Sequence, residues 1–296
     1  MDTVPPSGKT NDMLKPVVKD GYIYGLGAVD MKAGIAAVLT ALNKVKRTKN
    51  SAIIFDCDEE YYFKGAKAIL KKYSWNPQLV LCPEPTDLKI VNGCKGVIEI
   101  TGDVMGKTAH AGKPEQGVNA IEKALESVLV LRHEIQQYQD DELGKTTLNI
   151  SGLQGGRLVG NTITVQGNAV ADIARMVIDI RPASTQLDAQ KVCKILEPYT
   201  QWCSITLDYP AYRTKLEELT VMEKAIVLSG LAVRYQQRPE RSGFYEAALF
   251  AKKWGCPAVS FGPGPSNSAH TKGECVSISD LQSAMTVYTK LFRLFG

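Results

Sequence analysis

Four carboxylates and one imidazole fall in loops of this sequence: Asp30 in GAVDMKAG, Glu59 and Glu60 in DCDEEYY, Glu84 in CPEPTD, and His270 in GPGPSNSAHTKGE. Each lies just beyond a segment that reads as a strand, or in the loop after it. In open α/β sheets the loops at the carboxyl ends of strands build the ligand site, so groups far apart in sequence converge there. Carboxylate oxygens with an imidazole suit a hard or borderline divalent cation, and a bridging Asp can hold two metals roughly 3.5–4 Å apart.

Taken singly, each residue has another role open to it. Asp30 can cap a helix beginning at Met31, where its oxygen would accept orphan amide hydrogens. DCDEEYY can be an acidic first helical turn that complements the helix dipole. Glu84 has less scope for capping, because Pro83 and Pro85 pin the backbone in an extended form. His270 is one of three histidines and sits where no apolar face exists to bury it. His133 in LRHEIQQY reads as a helix-surface residue. His110 in GKTAHAGKP reads as a surface-loop histidine, and Asn161 in VGNTIT as a turn residue before a strand. Arg181 after MVIDI either meets a substrate carboxylate or ends a strand. The joint occurrence of the loop acids and His270 favours a metal site over the separate readings.

The elements that must position these groups follow from hydrophobic periodicity. KAGIAAVLTALNKVK puts Ile35, Val38, Leu39, Leu42 and Val45 on one helical stripe. SAIIF then reads as a short buried strand, GAKAILKKY as a helix and QLVLC as a second strand, an order that suggests parallel α/β units. From about Gly93 the texture changes. GVIEITGDV, the helix GVNAIEKALESVLVLRHEI, the alternating runs NTITVQGNAVADIA and MVIDIRP, and AQKVCKILEPY give the order of a small α+β sandwich. After SITLDYP the α/β texture resumes with LTVMEKAIVLSGL, EAALFAKKWG, PAVSFGPG and the closing helix ISDLQSAMTVYTKLFRLF. The expected fold is therefore mixed α/β with a largely parallel sheet and helices on both faces, formed by residues 1–92 and 208–296. An α+β two-layer domain over 93–207 interrupts it.

Composition narrows the function classes. The chain has 296 residues, 44% hydrophobic and 22% charged, enough to bury a large core. Its net charge is +4 from 35 basic and 31 acidic residues, and the densest basic stretch, KVKRTKN at 44–50, reads as a solvated helix end. No nucleic-acid partner is indicated. Seven cysteines without a C-x-x-C pair argue against a disulfide framework or zinc knuckle and for a reduced, cytoplasmic protein. No apolar run approaches the roughly 20 residues of a membrane span, and the first residues do not resemble a signal peptide. The phosphate-binding fingerprints G-x-G-x-x-G and G-x-x-x-x-G-K-[ST] are absent, which argues against a nucleotide-binding α/β protein.

GYIYGLGAVDMKAG, DEE, CPEPT, GKTAHAGKPEQGVNAI, GGRLVGNTITVQGNAVADIARMVIDIRP and AVSFGPGPSNSAHTKGE, in this order over essentially the whole chain, resemble a family of metallohydrolases. It is the acetylornithine deacetylase, succinyl-diaminopimelate desuccinylase, aminoacylase and carboxypeptidase G family. The resemblance implies a site of two zinc ions, with cobalt or manganese as substitutes, and an inserted lid domain that forms a homodimer. It implies that Asp30 bridges the metals, that Glu60 and His270 each complete a shell, and that Glu84 fills a position taken by Asp or Glu. Glu59 would be the general base. His110 would reach the partner subunit's site and stabilise an oxyanion, and Asn161 would contact substrate. The family motif His-x-Asp-Thr-Val-Pro is met here by MDTVP, which supplies the orienting Asp2 and begins one residue after the metal-binding His. The expectation is thus of a chain truncated just after that ligand. GFYEA at 243–247 departs from the small-residue and Asp pattern usual before this helix. The implied reaction is cleavage of an amide bond of an N-acyl amino acid or small peptide. The alternative is a non-catalytic homologue that dimerises and binds a metal or a small amino-acid ligand.

Overall fold

The computed structural model describes residues 3–5, 11–45, 50–236 and 244–295. Asp2 and most of the basic run at 44–50 lie outside the described residues. In chain order the main elements are β1 (Val17–Lys19), β2 (Tyr22–Tyr24), α1 (Ala33–Asn43), α2 (Lys64–Lys72), β3 (Val80–Cys82), β4 (Val97–Met105), α3 (Ala120–Glu134), β5 (Thr147–Val159) and β6 (Thr162–Thr164). They continue with β7 (Ile173–Arg181), α4 (Ala189–Leu196), β8 (Thr200–Tyr209), α5 (Thr220–Val227), α6 (Ala247–Trp254), β9 (Ala258–Ser260), β10 (Cys275–Ser277) and α7 (Ile278–Phe295). The chain is mixed α/β and forms two compact units. One gathers Met1–Gly93, Arg213–Arg241 and Tyr245–Gly296, and the other Cys94–Tyr212 with Ser242–Phe244.

In the first unit β3 and β9 pair in parallel, with Val80 opposite Ala258 and Cys82 opposite Ser260. β1, β2 and β10 form a separate antiparallel sheet. The core joins α1, α5 and α7 to the strand ends through Ala37, Ala41, Met222, Ile226, Val259, Phe261, Val287 and Tyr288.

One sequence expectation changes here, and α1 packs by its small residues. The buried face of α1 is Ala33, Gly34, Ala37 and Ala41, whereas Ile35, Val38 and Leu42 are half-buried and Leu39 is exposed. Small residues four apart let α1 lie close against α7, and that close approach rotates the large stripe off the contact. SAIIF is not a strand: among the described residues nothing pairs with it, and Ile53 and Ile54 are only half-buried. A short apolar run becomes a strand only where a neighbouring ladder takes up its backbone groups.

The second unit is one antiparallel five-stranded sheet in the order β8-β4-β7-β5-β6. Alternation selects one face for the core: Ile98, Ile100 and Val104 from β4 with Ala174, Met176, Ile178 and Ile180 from β7. α3 and α4 cover that face through Ala124, Val128, Leu131, Val192 and Leu196. Both helices are capped at the start. The Asn119 side chain accepts from Ile121 N at 3.0 Å, and Asp188 accepts from Lys191 N at 2.8 Å. α3 approaches β5 so closely that a Cβ on Gly155 would stand 2.2 Å from Ile121 Cγ1. On the opposite face Arg175 forks onto Asp103 at 2.7 Å through both nitrogens, and Trp202 donates to the same carboxylate at 3.1 Å.

Candidate metal centre

Both parallel strands of the first unit end beside the site. The loop after β3 carries Pro83 and Glu84, and the loop after β9 runs through Gly262 to His270. The two loops interlock: Leu88 N donates to Gly262 O at 3.0 Å, and Gly262 N donates to the Thr86 hydroxyl at 3.0 Å. Side chains are excluded at two positions along this seam. A Cβ on Gly262 would lie 2.4 Å from Glu84 O, and one on Gly34 would lie 1.9 Å from Pro83 O. The Glu84 backbone is therefore held between α1 and the end of β9.

Asp30 stands in the loop before α1, where the Asp30–Met31 peptide is cis. It does not cap the helix: Lys32 occupies the position before Ala33, and no side-chain cap bond is made there. The Asp30 carboxylate instead lies 3.3 Å from His270 Nε2. Glu59 and Glu60 fall in a turn before α2, which starts only at Lys64, so they are not an acidic first helical turn. Glu60 Oε1 is 3.1 Å from His270 Nε2. His270 has φ 60, a left-handed backbone that is uncommon outside glycine but that His tolerates better than most residues. One ligand atom each from Asp30, Glu60 and His270 falls within a mutual spacing of 4.8 Å. Two carboxylates and an imidazole at that spacing fit a borderline divalent cation such as zinc.

Glu84 is buried, and its carboxyl is pushed well above the usual range by burial and then by the charges of Glu59, Asp30 and Glu246. The Cys82 thiol donates to Glu84 Oε1 at 3.7 Å and is itself raised by burial and by the neighbouring Glu84. Glu246, at the start of α6, is pushed up to about 9 by burial and then by Asp56 and Glu59. Among the described residues its Oε1 is buried without a hydrogen-bond partner. Acids packed this way disfavour one another's ionised form, so the pocket favours protons or a cation.

Three members of this environment escaped the sequence reading. Half-buried Asp56 and buried Glu246 interact as an acid pair, and Glu246 showed only as a departure in GFYEA. Glu274 is buried and accepts backbone hydrogen bonds from the Asp30 loop; its one signal is its place four residues after His270.

The remaining candidates stand on the second unit. His110 is exposed in a loop whose backbone pairs with Ala169, and its Nδ1 accepts from Gly112 N at 3.0 Å. Asn161 is exposed in the tight turn between β5 and β6, after Gly160 at φ 59. His133 is exposed on α3, and Arg181 forks onto Asp179 at 2.8 and 3.0 Å.

The chain is similar to several known proteins. An acetylornithine deacetylase of Myxococcus xanthus is 29% identical over 293 residues, covering 95% of this chain and 74% of that protein. The solved structure of aminopeptidase PepT from Bacillus cereus superposes with a TM-score of 0.74 at 25% identity, covering 95% of this chain and 76% of that one. An M20 family metallo-carboxypeptidase from Sulfolobus solfataricus has the same fold, with a TM-score of 0.72 at 18% identity and 94% and 79% of the two chains covered. The sequence profile of peptidase family M20/M25/M40 matches residues 1–294, and the chain belongs to that family.

Proposed function

We propose that this chain is a zinc-dependent hydrolase that cleaves an amide bond of an N-acyl amino acid or a small peptide. The observation that carries the reading is the convergence of Asp30, Glu60 and His270 from three separate loops to within 4.8 Å. The names of two relatives, a deacetylase and an aminopeptidase, supply the substrate class.

Asp30, Glu60 and His270 would hold one ion, and Asp30 with Glu84 would contribute to a second. Cobalt or manganese would replace zinc in the same donors. When bound, the metal lowers the pKa of water and polarises a carbonyl oxygen. Glu59 is the general base: it takes a proton from the attacking water and returns it to the leaving amine. A carboxylate can take the proton in one step and return it in the next. Glu59 stands among other acids: its charge raises both Glu84 and Glu246. His110 would donate to the developing oxyanion from a partner subunit of a homodimer, and Asn161 would contact substrate. The discontinuous unit would be the catalytic domain, and the other the lid and dimerisation domain, with Asp2 orienting the metal site.

No described helix is long and apolar enough to cross a membrane. Seven cysteines with free thiols fit a reducing cytoplasm.

The test is hydrolysis of a panel of N-acetyl amino acids, dipeptides and tripeptides by the protein as prepared, after chelation, and after zinc is restored. Turnover that is lost on chelation and regained with zinc supports the reading. Turnover indifferent to chelation, with no zinc bound, overturns it. A dimer that binds zinc without hydrolysing any substrate would establish the non-catalytic alternative.

A further inference from the structure

The Asp30 and His270 loops are tied together by one side chain. Glu274 is 3% exposed, and its carboxylate faces the backbone of the Asp30 loop. Its Oε2 accepts from Gly27 N at 2.8 Å, and its Oε1 accepts from Val29 N at 3.0 Å and from Asp30 N at 3.2 Å. The Glu274 carbonyl accepts from Gly25 N at 3.2 Å, so main chain and side chain grip the same stretch. Glu274 N donates in turn to Thr271 O at 3.2 Å, one residue from His270. Gly27, at φ 68, lets the loop turn inward, where a Cβ would meet Asp30 O at 3.2 Å.

We infer that Glu274 is a positioning residue whose carboxylate holds the Gly27–Asp30 backbone so that the Asp30 carboxylate and the His270 imidazole face one shared cation. The inference rests on the metal reading above. Hydrogen bonds from amides to an ionised carboxylate are short and strong, and here one of them fixes the backbone nitrogen of a ligand residue itself. A carboxylate is required because both of its oxygens accept. In Glu274→Gln one oxygen becomes an NH2 group and is turned towards a backbone N–H, donor against donor. The substitution keeps the shape and removes the match.

The test uses the full chain loaded with cobalt(II), whose visible absorption reports ligand number and geometry. Glu274→Gln is expected to weaken cobalt binding by about tenfold or more, in line with other partners that orient metal ligands, and to alter the cobalt spectrum. A structural role alone would lower the unfolding midpoint and leave the affinity and spectrum of the folded protein unchanged. Asp30→Asn and His270→Ala are measured alongside. If those two bind cobalt as the wild type does, the metal reading fails and this inference with it. If they lose affinity while Glu274→Gln keeps both affinity and spectrum, the inference alone is overturned. A measurement on the wild type needs no folded variant: in metal-free protein the amides of Gly27, Val29 and Asp30 are expected to exchange hydrogen slowly. Fast exchange at all three would overturn the inference.

Discussion

Replacing Gly34 by alanine sets two effects of opposite sign against each other. In a helix interior alanine is favoured over glycine by about 1 kcal/mol, an upper bound for Gly34 in the first turn of α1, so on propensity alone the change should stabilise the helix. The added Cβ, however, would stand 1.9 Å from Pro83 O, 2.8 Å from Pro83 Cβ and 2.9 Å from Pro83 C. Non-bonded heavy atoms prefer separations of about 3.5–4.0 Å, so the helix or the Pro83 backbone must move by about 1.5 Å. Overpacking of this kind costs about 1–3 kcal/mol, and the upper end applies because the obstacle is backbone and not a side chain that can rotate away. The net expectation for Gly34→Ala is a loss of about 2 kcal/mol, seen as a melting temperature lower by about 4–8 °C for a unit of this size. Ala36 is exposed on the same helix, and Ala36→Gly, which changes propensity alone, should cost about 1 kcal/mol. Pro83 precedes Glu84, so the displacement should also lower turnover at 25 °C, where the variant remains folded. Thermal and urea melts of the purified proteins decide the matter: a Gly34→Ala chain more stable than wild type would show that α1 does not contact the Pro83 backbone as described.

Glu59→Gln is expected to abolish turnover while bound zinc, measured by elemental analysis, stays at the wild-type level; loss of metal together with activity would make Glu59 a ligand and not the base. The acid pair gives a pH dependence with a definite sign. Glu246 keeps its proton up to about 9 in the folded chain against 4.5 when unfolded, so the native state binds more protons across that window. Stability of the metal-free protein is then fully present below the lower value and is lost as pH rises towards the higher one, at up to about 1.4 kcal/mol per pH unit. Glu246→Gln should flatten that slope in urea titrations, and a variant profile parallel to wild type would refute the assignment. If His110 acts across a dimer, mixing His110→Ala with Glu59→Ala chains should restore activity in verified mixed dimers, and no recovery would remove the trans role.

The chemistry was more legible in this sequence than the packing. Singly, Asp30 and Glu60 had capping and helix-dipole readings open to them; what stood out was the joint occurrence of loop acids with His270, and the structure brings Asp30, Glu60 and His270 together. The apolar stripe of α1 marked the helix but not its buried face, because periodicity reports which residues are greasy, whereas close packing selects those that are small: Ala33, Gly34, Ala37 and Ala41. β5 went unrecognised because Gly152, Gly155 and Gly156 interrupt the alternation that marks a strand. At Gly155 the missing side chain is what admits Ile121 of α3, so the packing requirement erased its own sequence signal.

Glu274 and Glu246 were illegible for a different reason. A carboxylate that serves backbone amides from a loop 244 to 247 residues away leaves no local pattern, because its partners are N–H groups that every non-proline residue carries. The two buried acids also have opposite surroundings, which separates their duties. Glu274 has its oxygens matched by amide donors, so its charge is solvated by the protein itself. Glu246 lies among Asp56, Glu59 and Glu84, with one oxygen that has no hydrogen-bond partner among the described residues. The first arrangement fixes a loop and needs nothing further. The second stores repulsion that a proton or a cation relieves, and it does so beside the residue placed here as the base, so loading the site with metal is expected to lower the proton affinity of the whole cluster.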